Sequence, residues 1–100
     1  MDQLTNIVLE YIEQRSIKYK AIRRQDYQLA ATYRDSEREI LRKLYNMLNN
    51  IDNNDFLDWN IYENFIKDWF FSEYGITNFN DKDNNIKLIN RRNNLNKLDI

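Results

Sequence analysis

The first forty-eight residues of this chain contain neither Gly nor Pro, and two stripes of helical period run through them out of register with each other. Leu4, Ile7, Val8, Tyr11 and Ile12 recur at three and four residues, and Ile22 resumes that stripe two turns after Arg15. Tyr27, Ala30, Arg34, Glu37, Leu41, Leu44 and Leu48 then step alternately by three and four, which makes a seam for a partner helix. A strict heptad continued from the first stripe runs through Gln25, Leu29 and Thr32 and misses that seam. An uninterrupted helix of about 47 residues, roughly 70 Å long at 1.5 Å per residue, leaves this mismatch unresolved. A turn at Gln25-Asp26 removes it. Asp26 then caps the second helix with its side chain, and Arg23 and Arg24 end the first, where the helix dipole favours cations. The spacing thus predicts antiparallel helices over residues 2–24 and 26–48, with Asp2 as the first N-cap. On the seam, Ala30 and Ala31 let two helices approach closely. Arg34 and Glu37, one turn apart, are expected to pair with each other or with a second copy, because unpaired charge on a packed face is costly.

Beyond residue 48 the character changes. Of the 16 Asn residues, 15 lie at or after position 46, and residues 49–80 carry six acids against one base. Asn serves loops better than helices, so residues 49–55 read as a linker and residues 77–100 as an irregular Asn-rich tail, whose scattered Ile86, Leu88, Ile89, Leu95 and Leu98 are enough for a docked strand or a short helix without deciding between them. The Asn excess also hints at an AT-rich bacterial, phage or viral source. Between these segments, residues 56–76 form a third, aromatic helix capped by Asn54 or Asp55. Tyr62, Phe65, Ile66, Trp69 and Phe70 share one of its faces and are expected to pack on the hairpin. Gly75 fits a left-handed ending, with Ile76 making the apolar contact that accompanies it. The fold expected is all-α.

Composition removes several kinds of chemistry. With no Cys and no His among 100 residues, there are no disulfides, no thiolate nucleophile and no imidazole acid-base group, and zinc sites of the usual kind are excluded. Asp81-Lys82-Asp83-Asn84-Asn85 mimics the opening of a calcium loop, but Ile86 stands where Gly is required and Arg92 where the closing Glu belongs. Asp52, Asn54 and Glu63 fit a second such loop, which Phe56 and Leu57 spoil. The expectation is no metal, no cofactor and no enzymatic activity. Arg15, Lys18, Lys20, Arg23 and Arg24 could hold phosphates, but a net charge of −1 and the acidic segment beside them point to a solvated helix face and away from nucleic acid. The longest apolar run, Trp69-Phe70-Phe71, is too short to cross a bilayer, and Met1-Asp2-Gln3-Leu4 is no leader; the cytoplasm is the expected compartment.

The run Asp26-Tyr27-Gln28-Leu29-Ala30-Ala31-Thr32-Tyr33-Arg34-Asp35 resembles the UVR motif, the helical hairpin of the UvrB and UvrC repair proteins that also occurs in Clp-class unfoldases and their regulators. The family pattern is an acidic residue or Asn, an aromatic, two free positions, Ala-Ala, two more, then Arg-Asp. Glu37 departs from the UvrB form, which has Ile or Leu there, and is closer to the Clp type. The likeness covers about residues 7–48. It implies a hairpin that docks onto a protein partner, either another UVR hairpin or a second copy of itself. The residues it marks are Tyr27, Ala30, Ala31, Arg34 and Asp35, with Glu37 as a Clp-type feature.

The expected function is accordingly a non-enzymatic docking module, with a homodimer formed through the second helix. An alternative rests on the third helix, where Trp59, Phe71 and Tyr74, with Phe56, fall partly off the packed stripe amid Asp52, Asp55, Asp58, Asp68 and Glu73. Such an acidic aromatic surface suits a small phage, viral or mobile-element effector that inhibits a host protein.

Overall fold

A computed structural model describes residues 3–51 and 56–98, the side chains as far as residue 94. The chain folds as an all-α four-helix bundle, α1 (Gln3–Arg23), α2 (Tyr27–Leu48), α3 (Trp59–Tyr74) and α4 (Lys82–Leu98), with no strand among the described residues. The greatest extent of the molecule is 46 Å, too short for a single rod through residue 26. The chain reverses between Arg23 and Tyr27, so that α1 and α2 lie antiparallel, with Arg15 across from Glu37. Contacts then run from α2 to α3, from α3 to α4 and from α4 back to α1. Helix α4 is antiparallel to α1, since Lys82 meets Glu13 while Asn93 donates to the Thr5 hydroxyl.

The turn shows why α1 stops without a Gly. The Gln25 N–H donates to the Ile22 carbonyl and the Asp26 N–H to the Ala21 carbonyl, the paired bonds of a Schellman ending. Gln25 occupies its left-handed position at φ 61°, a conformation that costs a residue with a Cβ roughly 1–2 kcal/mol. Asp26 compensates by accepting from the Leu29 N–H through Oδ1 at 3.1 Å, an N-cap that stabilises α2 by about 1 kcal/mol. Asn50 repeats the device at the end of α2 with φ 53°, the Ile51 N–H donating to the Asn46 carbonyl. Gly75 ends α3 at φ 73° and donates to the Phe71 carbonyl at 2.9 Å, and the next residue, Ile76, is buried.

Ile7, Val8, Tyr11 and Ile12 of α1 meet Ile40, Leu41 and Leu44 of α2 in a core closed by Tyr62, Ile66 and Phe70 of α3. Ile76 and Ile89 complete it. Each such side chain contributes about 1.5–3 kcal/mol on leaving water. Perpendicular ring contacts join the helices, Tyr45 with Tyr62 and Phe65, and Tyr11 with Phe70 at 5.7 Å.

Two expectations are corrected. The third helix starts at Trp59, because Asp58 is its N-cap, accepting from the Asn60 N–H at 2.7 Å; Asn54 and Asp55, expected in that role, lie outside the described residues, as do Asp2 and most of the 49–55 linker. The Asn-rich segment is no irregular tail, since its larger part is α4. That helix packs through a stripe containing polar residues. Asn85 and Ile89, one turn apart, are both buried, and Asn85 donates its amide to the Asn78 carbonyl at 2.9 Å. Asp81, the opening residue of the calcium-like run, accepts from the Asn84 and Asn85 N–H groups at the start of α4.

Candidate functional site

The residues marked on α2 divide between two sides of the helix. Ala30 is buried and Ala31 half-buried, and on α1 Ala21, at nearly the same distance from the turn, is buried as well. Small side chains on both helices of the hairpin let the two backbones approach closely there. The outer end of the hairpin is open: residues 22–29 are all exposed, among them Ile22, Leu29 and Tyr27, the last at 66%. Arg34 and Asp35 are exposed too and pair with each other at 3.4 Å.

Glu37 points the other way. It is 4% exposed, its Oε1 accepting from Arg15 Nη1 at 2.9 Å and its Oε2 lying 2.6 Å from Lys18 Nζ. The expected Arg34–Glu37 pair is therefore absent, because the seam that carries Ala30, Glu37, Leu41 and Leu44 faces α1 and the core of its own chain. Sequence reasoning missed this cluster and took Arg15 and Lys18 for part of a solvated face. The signal was available in the turn itself, since residues equidistant from it must oppose each other in an antiparallel hairpin, and Arg15 and Glu37 are such a pair.

Around this ion pair sits an aromatic cage. The Arg15 guanidinium lies over the Tyr19 ring at 5.2 Å and over Phe79 at 5.3 Å, and its Nη2 donates to the Tyr19 hydroxyl at 3.2 Å. Burial disfavours the charged guanidinium, but Tyr11, Glu37 and Tyr19 outweigh it and hold the Arg15 pKa above the usual arginine value. Beside it, burial drives the Tyr11 phenol well above its ordinary pKa of 10.0, although the Arg15 charge acts in the opposite sense. Tyr11 stays protonated in the folded protein at a pH where the unfolded chain has lost that proton, so it contributes stability that is complete below pH 10 and declines as pH rises beyond it. A Tyr11→Phe variant should therefore lose less stability than the wild type between pH 9 and pH 11 (roughly the onset of phenol ionisation), measured by urea unfolding. Equal slopes would mean that Tyr11 ionises freely in the folded state.

The α3 residues also separate. Trp59 is half-buried, packed against Phe56 and Tyr62 with the Arg38 guanidinium 5.1 Å from its ring. Tyr74 is half-buried against Trp69 and Phe70. Phe71 alone of the three is open to solvent, at 62%. Its surroundings include Lys67 as well as Asp68, and Glu73 is engaged by Arg92 of α4 at 3.3 Å. Among the described residues no three carboxylates come together in a way that holds a metal ion, and no helix is long and apolar enough to cross a membrane. Comparison with protein-family models, curated proteins and solved structures finds no match to this chain.

Proposed function

We propose that the protein is a non-enzymatic docking module whose contact surface is the outer end of the α1–α2 hairpin, with a protein as its partner. The observation that carries this reading is the exposure of Tyr27 together with Ile22 and Leu29 at a turn fixed by the Gln25 and Asp26 hydrogen bonds. Apolar side chains held in place by a rigid turn give contact area with little loss of conformational freedom on binding, and aromatic residues so placed often dominate an interface. Arg34 and Asp35, exposed one to two turns along, form the polar rim. The resemblance to UVR hairpins points the same way and names the partner class: another hairpin of this kind, a second copy included. Such pairing uses the open end, because the Leu41 and Leu44 side of α2 is filled.

A second reading is favoured by one observation, the exposed Phe71. In it the partner, a host protein in the effector case, sits on α3. Substitutions at the surface separate the two, whereas removal of residues 26–48 would take Leu41 and Leu44 out of the core and unfold the domain. Tyr27→Ala with Leu29→Ala should weaken capture of a partner from native lysate by about tenfold or more, as expected for loss of an interfacial anchor, and leave the thermal midpoint nearly unchanged. Phe71→Ala should leave capture intact. The reverse pattern transfers the interface to α3, and a concentration-dependent dimer in sedimentation that Tyr27→Ala abolishes identifies the partner as a second copy.

A further inference from the structure

Arg15 also lines a pocket of about 430 Å³ formed by α1, α3 and the loop that joins α3 to α4. Its walls are Phe71 and Phe79, and its polar lining includes Arg15, Lys67, Asn78 and Asn80. Both charged liners are cations and no acid lines the pocket, although the chain as a whole carries −1. Lys67 is exposed and takes part in no ion pair among the described residues.

We propose that this pocket binds an organic carboxylate, with Arg15 and Lys67 meeting the anion and Phe71 and Phe79 meeting its apolar body. Three features favour that ligand class. First, the guanidinium is already oriented: Glu37 holds Nη1, the Tyr19 hydroxyl holds Nη2, and its carbon lies 5.2 Å from the Tyr19 ring and 5.3 Å from the Phe79 ring. Each Nη keeps a second hydrogen, and a planar fork of this kind suits a planar carboxylate. Secondly, Glu37 is one carboxylate shared by two cations, Arg15 and Lys18, so the cluster retains one positive charge near a low-dielectric interior, where an incoming anion is held more strongly than in water. Thirdly, the loop is fixed from behind: the buried Asn85 amide donates to the Asn78 carbonyl, and the Asn78 side chain accepts from the Asn80 N–H at 3.0 Å.

The test is a titration of the whole protein with benzoate, followed by nuclear magnetic resonance at the Arg15 Nε–H and at the Asn78 and Asn80 side-chain amides. The Arg15 Nε is sealed from solvent and has no hydrogen-bond partner among the described residues, so it reports on the guanidinium without itself being the contact. Saturable shifts at these groups with a Kd on the order of millimolar are expected, and none with benzyl alcohol, which keeps the ring and lacks the charge. Lys67→Glu should weaken benzoate by about tenfold, whereas Lys43→Glu, the same charge change on exposed α2 surface, should leave it unaltered. A capped Phe-Glu dipeptide that binds with the same shifts assigns the site to an acidic side chain of a protein partner, and one that fails while benzoate binds assigns it to a free acid. Linear, unsaturated shifts, or equal losses in the two charge variants, would overturn the proposal. None of these outcomes bears on the Tyr27 surface, which benzoate does not probe.

Discussion

Phe70→Ala should destabilise the protein by about 3–5 kcal/mol, a large fraction of the roughly 5–15 kcal/mol that holds a domain of this size together. The side chain is fully buried where α1, α3 and the loop that follows α3 converge. Its ring meets Tyr11 of α1 at 5.7 Å, Trp69 and Tyr74 of its own helix, and Phe79 of the following loop, stacked at 5.3 Å. Alanine would lose the transfer free energy of the ring and leave a void that four rigid aromatic neighbours cannot close, since collapse would break their ring geometries. Phe71→Ala, one residue away, is the internal control. That ring is mostly in solvent and should change stability by no more than about 0.5 kcal/mol. Urea unfolding at constant m-value measures both, and comparable losses from the two variants would contradict the helix face described for α3.

That contrast also shows what was legible in the sequence. Tyr62, Ile66 and Phe70 announce a buried face because an apolar stripe at helical spacing has few other uses, and all three are buried. The turn at Gln25-Asp26 was legible for a similar reason: two stripes out of phase cannot both be satisfied by one straight helix. Helix α4 was hidden because the stripe it buries mixes Asn85 with Ile89, and its first and later contacts to α1 are made by Lys82 and Asn93. Hydrophobic pattern does not register polar members of a packed face, and Asn propensity argues against helix until a tertiary partner overrides it. For the candidate site, the exposed position of Tyr27 is a consequence of tertiary packing. Whether a seam is used by the same chain or by another is not encoded in its period, so the Leu41 and Leu44 stripe suggested an intermolecular contact that α1 already makes.

Glu37 supplies the sharper case, and the second large effect. Glu37→Leu should cost about 2–4 kcal/mol, because Arg15 and Lys18 then remain in the interior without a counter-charge. That lies somewhat below the 3–5 kcal/mol expected when a fully buried pair is broken, as the Arg15 and Lys18 side chains are still 14% and 16% exposed and recover part of their hydration. The partner is identified by coupling. Arg15→Met and Glu37→Leu, combined, should fall short of the sum of the single losses by about 1–3 kcal/mol, since residues in one ion-pair network do not contribute independently. Arg34→Met combined with the same Glu37 change should be additive within about 0.5 kcal/mol, because Arg34 is exposed and bound to Asp35 on the other side of the helix. High salt should preserve the first coupling, which is shielded by Tyr11, Tyr19 and Phe79, and remove what little an exposed pair contributes. An Arg34–Glu37 coupling as large as that of Arg15 would put Glu37 back on an outward seam, and with it the register of a second copy.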